Sequence, residues 1–205
     1  MLYGGAYMGK IYIIMGKSAT GKDTIYKRLI TNESLMLQSI VTYTTRPIRS
    51  GEKNGVEYHF CDEDTLNNAN NNGSLIEHRQ YDTIHGLWHY FSVDDGSLNL
   101  EQYDYLIIGT LEMYNSYLKY FGTNKIVPIY IYVDDYTRLR RALDREALTN
   151  NPKYAELCRR FLADCEDFSE EKLKESGIDS RIVNDEIDNC VETVIKYINQ
   201  HRERG

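Results

Sequence analysis

The segment Lys10–Met15 (KIYIIM), followed at once by Gly16–Asp23 (GKSATGKD), decides the fold of this 205-residue chain. The first six residues are mostly β-branched or aromatic, which is typical of a buried strand that ends at a glycine. After a loop containing two glycines, apolar residues recur at helical spacing through Asp23–Thr31. The sequence therefore predicts a strand, a tight loop and a helix in immediate succession.

The loop matches the P-loop pattern for nucleotide phosphates, in which two glycines separated by four residues precede a lysine. Glycines let the backbone fold closely around phosphate oxygens, so that successive N–H groups and the helix N-terminus point at the anion. A simple glycine-rich turn is the alternative, but the flanking strand and helix favour nucleotide binding. The expected nucleotide contacts are Gly16, Lys17, Ser18, Ala19, Thr20, Gly21, Lys22, Asp23 and Thr24.

Asp23 departs from the pattern, because a serine or threonine usually follows the lysine and ligates Mg²⁺ through its hydroxyl. A carboxylate at this position can bind the metal directly or through water, cap the helix, or be tolerated without touching metal. These alternatives stay open in the sequence, and Asp23 is the candidate metal ligand.

Outside this segment, strands and helices alternate, which favours an α/β fold with a parallel core sheet. The outer strands are predicted at Tyr103–Ile108, Lys125–Val133 and Arg181–Asn184, and the outer helices at Leu111–Phe121, Thr137–Leu148, Tyr154–Phe168, Glu170–Glu175 and Ile187–Gln200. Residues of about 40–93 are richer in strands and resemble an insertion. There the predicted elements are strands Ile40–Thr45 and Glu57–Phe60, helix Asp62–Asn72, and two strands in Leu75–Phe91 around Gly86.

Composition narrows the class of protein. A hydrophobic content of 41 % supports a packed core, and a net charge of −7 argues against a general nucleic-acid binder. The four cysteines form no CxxC pair and are expected to be reduced thiols, which fits a cytoplasmic protein. No apolar run is long enough for a membrane span or secretory signal. Met1 and Met8 are both possible translation starts.

A second dense motif covers residues 42–60. Arg46 and Arg49 flank Pro47, and Tyr58 follows nine residues after the second arginine. Two guanidinium groups and a phenol suit the binding of a phosphate dianion, although composition alone would also fit a solvated basic loop. The segment Thr44–Phe60 satisfies every fixed position of T-T-R-x-x-R-x-G-E-x-x-G-x-x-Y-x-F, and so resembles the signature of the guanylate kinase family.

This resemblance implies roles for individual side chains. Those expected to hold the acceptor phosphate are Arg46, Arg49, Tyr58 and, from a looser match, His85. Those expected near the guanine base are Thr42, Glu77 and Thr110. In the family, the glutamate at the position of Glu77 accepts hydrogen bonds from the N1–H and amino group of guanine. An ordinary exposed glutamate is the alternative at this position.

The chain also departs from the family. Two acidic positions on a core strand are occupied here by Ile108 and Thr110, which puts metal binding and strict guanine selection in question. Asp23 could supply the carboxylate that is missing near the metal.

Arg141 and Arg145 lie four residues apart and therefore on one helical face, and Arg160 follows on the next predicted helix. A solvated helix with ion pairs is the plain interpretation. The resemblance instead implies that these three arginines belong to a lid that closes over ATP, and that Asn184 contacts the base or ribose of ATP.

Taken together, these features predict a guanylate kinase-like domain over residues 10–200. Its core would comprise residues 10–40, 100–135 and 180–200, with a mixed α/β acceptor-binding insert at about 41–95 and a helical lid at about 138–165. The implied reaction is ATP-dependent phosphorylation of GMP to GDP, with Mg²⁺, by Lys22, Arg46 and the three lid arginines. The alternatives are another monophosphate acceptor or a catalytically silent binding module. The implied partners are small nucleotides, not nucleic acid or membranes.

Overall fold

A computed structural model describes residues 8–83 and 86–203. Within these residues the chain forms nine strands and seven helices. In chain order they are β1 (Ile11–Met15), α1 (Lys22–Ile30), β2 (Gln38–Ser39), β3 (Tyr43–Thr44), β4 (His59–Phe60), α2 (Glu63–Asn71), β5 (Leu75–Thr83), β6 (Gly86–Val93), β7 (Tyr105–Ile108), α3 (Leu111–Phe121), β8 (Ile126–Tyr132), α4 (Asp135–Ala147), α5 (Tyr154–Asp167), α6 (Glu170–Glu175), β9 (Ile182–Val183) and α7 (Ile187–Glu203).

The core is a five-stranded sheet with the order β2-β7-β1-β8-β9, and every neighbouring pair in it is parallel. All five residues of β1 are fully buried, because this strand lies between β7 and β8 and both faces of the sheet are covered. This arrangement confirms the predicted α/β fold of P-loop kinase type with a parallel core sheet. The phosphate loop thus leaves the carboxyl end of the central strand, where open α/β sheets bind ligands.

The two faces of this sheet pack against different helices. On one face, Tyr117 of α3 and Leu173 of α6 join a cluster with alternate residues of β1 such as Ile13. On the other face, Leu29 of α1 and Val194 of α7 pack against the remaining residues of β1. The alternation of side chains along a strand distributes one short apolar segment between both halves of the core.

A second, mixed sheet has the order β4-β3-β6-β5. Strand β3 pairs in parallel with β4 and antiparallel with β6, and β5 and β6 form a long hairpin. The strand predicted at Ile40–Thr45 is confirmed only over Tyr43–Thr44, which pairs in the second sheet. The separate strand just before it, Gln38–Ser39, pairs with β7 in the core sheet. The short run between these strands carries the chain from one sheet to the other.

Helices α4 and α5 pack against each other. The segment that contains them begins after β8 and ends before β9, and both of these strands belong to the core sheet. None of the helices in the described part of the chain is long and apolar enough to span a bilayer.

Candidate functional site

The loop between β1 and α1 depends on backbone conformation. Gly21 has φ +86° and Ala19 has φ +64°, so both lie in the left-handed region that favours glycine. A Cβ atom on Gly21 would stand 2.6 Å from Nδ2 of Asn184. Gly21 is therefore required both for its backbone angles and for the close approach of a side chain from beyond β9.

Asn184 ties this loop to two other segments. Its Nδ2 donates to the carbonyl oxygen of Thr20 at 2.7 Å, and its backbone N–H donates to the carbonyl oxygen of Tyr132 at 2.9 Å. Arg141 Nη2 donates to the Asn184 carbonyl oxygen at 3.4 Å. Although Asn184 is only 3 % exposed, its Oδ1 accepts no hydrogen bond from any described residue. Because buried polar atoms normally have partners, this oxygen is an unsatisfied acceptor beside the loop.

The phosphate loop also contacts the helices that follow β8. The backbone N–H of Ser18 donates to Oδ2 of Asp164 in α5 at 2.7 Å, and Nζ of Lys17 lies 3.4 Å from Oδ1 of Asp135 in α4. A carboxylate therefore accepts from one of the backbone donors expected to face phosphate.

Three arginines border this part of the loop. Arg145 and Arg160 line a narrow cleft together with Ser18 and Arg138. Arg141 lies apart from them, because it turns toward Asn184. The structure thus brings two of the three predicted lid arginines together beside the loop.

Arg138 is a residue that the sequence interpretation missed. It is 1 % exposed, its Nε donates to Asp135 Oδ1 at 2.6 Å, and its guanidinium lies 3.8 Å from the ring centroid of Phe161. Its Nη1 is 3.6 Å from Asp164 Oδ2. The three-residue spacing from Asp135 was the available signal, and Arg138 joins α4 to the loop-facing side of α5.

The candidate metal ligand Asp23 lies in the first turn of α1. Its side chain is 74 % exposed, and its Oδ2 is 3.9 Å from Nζ of Lys22. Within residues 8–83 and 86–203, no group of three or more His, Cys, Asp or Glu is arranged to hold a metal ion. Any Mg²⁺ here would therefore depend on one carboxylate together with oxygens of a bound nucleotide and water.

The arginine motif of residues 44–60 forms a compact cluster in the second sheet. Arg46 is 4 % exposed and donates through both terminal nitrogens to Glu52, with each contact at 2.8 Å. Its guanidinium lies 5.3 Å from the ring centroids of Tyr58 and Phe60. Hydrogen bonds from Arg46 and from the backbone of Arg49 hold the pKa of Glu52 at about 2. Glu52 therefore stays ionised and fixes Arg46 in place.

The β5–β6 hairpin presents three cross-strand pairs on one face, namely Glu77 with Ser92, Arg79 with Tyr90, and Tyr81 with Trp88. The ring of Tyr90 lies 5.7 Å from that of Tyr58. Glu52 most strongly, and Tyr90 more weakly, raise the pKa of Arg46, and the ring contact with Tyr58 places Tyr90 beside the arginine cluster. The predicted second phosphate residue, His85, lies outside the described residues, and Tyr90 was missed because the length of the hairpin could not be derived from spacing.

Glu77 is 5 % exposed at the inner end of this face. The register of the hairpin shifts between Leu75 and Glu77, which is a bulge that re-aims the strand. Ser92 Oγ donates to Glu77 Oε1 at 3.1 Å, and Arg79 donates to both carboxylate oxygens. Burial raises the pKa of Glu77, and Arg79 and Ser92 lower it part of the way back.

A cleft of about 640 Å³ is lined by Arg79, which pairs with Glu77, and by Thr110 and Glu112, among others. Thr110 is also the N-cap of α3, since its Oγ1 accepts from the backbone N–H of Met113 at 3.2 Å. The backbone carbonyl of Thr42 accepts from the N–H of His59 at 2.8 Å. The cleft therefore has a carboxylate, a guanidinium and a hydroxyl near one another.

Comparison with known proteins finds guanylate kinases both by sequence and by fold. The guanylate kinase family model matches residues 8–93. A guanylate kinase from Malacoplasma penetrans is 44 % identical over 73 residues, which is 36 % of this chain and 37 % of that protein. A guanylate kinase from Cupriavidus pinatubonensis is 26 % identical over 202 residues, covering 97 % of this chain and 86 % of that protein.

The crystal structure of guanylate kinase from Anaplasma phagocytophilum superposes with a TM-score of 0.66 and covers 96 % of this chain and 87 % of that one. Its sequence identity is 19 %, so the superposition speaks for the fold. The strong local matches span only about a third of the Malacoplasma protein's length. The resemblance to guanylate kinases inferred from residues 44–60 is confirmed.

Proposed function

We propose that this guanylate kinase-like chain is an ATP-dependent nucleoside monophosphate kinase, and that GMP is its acceptor. The observation that carries the proposal is one face of the second sheet, where the Arg46, Tyr58 and Tyr90 cluster adjoins the buried carboxylate of Glu77. A phosphate-binding group and a base-reading group stand together there, on the same chain as a phosphate loop.

The donor nucleotide would be ATP. Backbone N–H groups of the loop and Lys22 suit its phosphates, because both present positive charge at the amino end of α1. The free Oδ1 of Asn184 is the acceptor that a donor nucleotide could satisfy with an N–H or O–H group. Mg²⁺, when bound, would neutralise charge on the phosphates, and Asp23 is the side chain that would hold it.

The acceptor would be recognised at both ends. Arg46, Arg49, Tyr58 and Tyr90 would hold the phosphate, and Glu77 would accept from the N1–H and amino group of guanine. Adenine cannot offer these two donors, so a buried carboxylate disfavours it. Thr42 and Thr110 would add hydroxyl contacts near the base.

The transfer needs no side-chain nucleophile. An oxygen of the GMP phosphate attacks the γ-phosphorus of ATP, the bond to the β–γ bridging oxygen breaks, and ADP leaves with that electron pair. Lys22, Arg141, Arg145 and Arg160 would compensate the charge of the transferred group. Movement of α4 and α5 toward the loop would exclude water and so limit ATP hydrolysis.

We further propose that the protein acts on small nucleotides in the cytoplasm, rather than on nucleic acid or membranes. The four cysteines are free, as expected for a reducing compartment. The net charge of −7 opposes general binding to nucleic acid.

The test is ADP release by the purified protein with Mg-ATP and each of GMP, dGMP, IMP, AMP, CMP and UMP. We expect GMP to give the highest kcat/KM, and Lys22→Ala to lower kcat about 100-fold or more while the protein stays folded. Lys27→Ala, on the same helix but outside the loop, is the matched control. Turnover with a different acceptor would overturn the assignment of GMP. Nucleotide binding without turnover for any acceptor would instead indicate a binding module.

A further inference from the structure

Arg79 and Glu77 form a pair whose partners lie two residues apart on the same strand face. Arg79 Nε is 3.1 Å from Glu77 Oε2, and its Nη2 is 3.4 Å from Oε1. Ser92 Oγ also donates to Oε1. The Glu77 side chain is 2 % exposed and that of Arg79 is 21 % exposed, so the arginine lies between the carboxylate and the cleft. Both oxygens that would read a base are already in use.

The group that uses them has the shape of the expected ligand. A guanidinium presents parallel N–H donors on neighbouring nitrogens of one carbon, and carboxylates accept these as a bidentate pair. Guanine presents N1–H and its 2-amino group on one carbon in the same arrangement. Arg79 and guanine therefore compete for the same edge of the Glu77 carboxylate, on which each would use both oxygens at once.

Arg79 also has another carboxylate available in the same cleft. Glu112, in the first turn of α3, lines the cleft together with Arg79. Its charge is close enough to act on both members of the pair, since it contributes weakly to raising the pKa values of Glu77 and Arg79. An arginine that leaves Glu77 thus moves toward a negative charge rather than into an apolar environment.

We propose that Arg79 is a specificity-determining residue that competes with the base of the acceptor for Glu77, and that guanine binds only by displacing its guanidinium. This inference rests on the proposed function, in which Glu77 reads the base. GMP and IMP, which both carry N1–H, must displace Arg79, whereas AMP carries no donor there and binds without displacing it. Arg79 consequently lowers the ratio of GMP affinity to AMP affinity.

The experiment compares the wild type with Arg79→Met, which keeps the aliphatic length without the donors. Binding of GMP, IMP and AMP is measured by calorimetry at pH 8, where ionised Glu77 is favoured, and kcat/KM is measured in parallel. We expect the ratio of GMP affinity to AMP affinity to rise at least tenfold, and the same ratio for IMP to rise as well. Arg79→Lys, which retains the charge but not the paired donors, is expected to give an intermediate ratio.

Two controls separate competition from a general charge effect. In a Glu77→Ala background, Arg79→Met is expected to leave the GMP-to-AMP ratio unchanged, because there is no carboxylate to compete for. Arg28→Ala removes another arginine that is paired with a carboxylate, Asp188, away from the cleft. It is expected to leave the ratio unchanged.

Equal weakening of all three monophosphates by Arg79→Met would identify Arg79 as a phosphate ligand and overturn the inference. An unchanged GMP-to-AMP ratio would overturn it too, as would loss of measurable GMP binding in both proteins. If the wild type binds GMP without phosphorylating it, the proposed function fails, while the shift in binding ratio still decides the role of Arg79.

Discussion

The phosphate loop and the acceptor face, which consists of Arg46, Tyr58, Tyr90 and Glu77, are both proposed to bind a nucleotide, but they use different parts of the chain. The proposed donor loop is one contiguous segment, Gly16–Lys22, whose expected contacts with phosphate are mostly backbone N–H groups. The acceptor face collects side chains from the arginine motif and from both strands of a hairpin. In each place a side chain of the protein meets a group expected to bind substrate, since Asp164 accepts from Ser18 and Arg79 donates to Glu77.

The difference shows which changes each site can tolerate. A backbone site depends on φ and ψ angles, so Asp23 can replace the usual hydroxyl residue without altering the loop. A side-chain site depends on strand register and on neighbouring side chains, so replacing one residue such as Arg79 would change which donors the Glu77 carboxylate can accept. Specificity is therefore expected to vary more readily than phosphate binding.

The largest effect should come from breaking the backbone site. Gly21→Ala places a Cβ 2.6 Å from Asn184 Nδ2 at φ +86°. We expect a loss of about 2–3 kcal/mol in the free energy of unfolding and at least tenfold weaker ATP binding, from strain and clash together. Gly51→Ala is the matched control, because Gly51 has φ +88° with no atom within 4 Å of the added Cβ. It should cost only about 1 kcal/mol. Equal losses in urea unfolding would show that the close contact contributes nothing.

A smaller effect should follow from removing one atom of the side-chain site. Tyr90→Phe deletes a hydroxyl beside the arginine cluster and keeps the ring against Tyr58. We expect KM for GMP to rise about tenfold, as for loss of one hydrogen bond to a charged group, with KM for ATP unchanged. Tyr81→Phe, on the same strand face but 49 % exposed, serves as the control. A rise in both KM values would mean that Tyr90 acts on the fold rather than on the acceptor.

The smallest effect should come from Asp164, a side chain of α5 that contacts the backbone of the phosphate loop. Asp164→Asn keeps an acceptor for the Ser18 N–H but removes its negative charge. We expect about three- to tenfold tighter binding of a non-hydrolysable ATP analogue, because a like charge beside the phosphates is lost. Asp167→Asn, on the same helix, should leave binding unchanged in calorimetry. Weaker binding of the analogue by Asp164→Asn would show that the carboxylate supports the loop rather than competing for it.

How far the sequence predicts this molecule follows the same division. The sequence predicts the order of strands and helices, and also the phosphate loop, because apolar periodicity and glycine spacing are local properties. The pairing of Glu77 with Arg79 could not be predicted, because it depends on a bulge and on the length of a hairpin. Tyr90 was missed for the same reason. Arg138 has a local signal in its three-residue spacing from Asp135, but its contacts with Asp164 and Phe161 on another helix have none. The division of residues 38–44 between two sheets also needs long-range pairing that no local pattern records.

The hydrogen bond between Asn184 and Thr20 also bears on when the phosphate loop can be completed. The carbonyl of Thr20 receives its hydrogen bond from a side chain 164 residues later in the chain. Closing so long a segment of chain costs conformational entropy. During synthesis, this hydrogen bond can form only after β9 and Asn184 have been made. Nucleotide binding at this loop would report that almost the whole domain has folded.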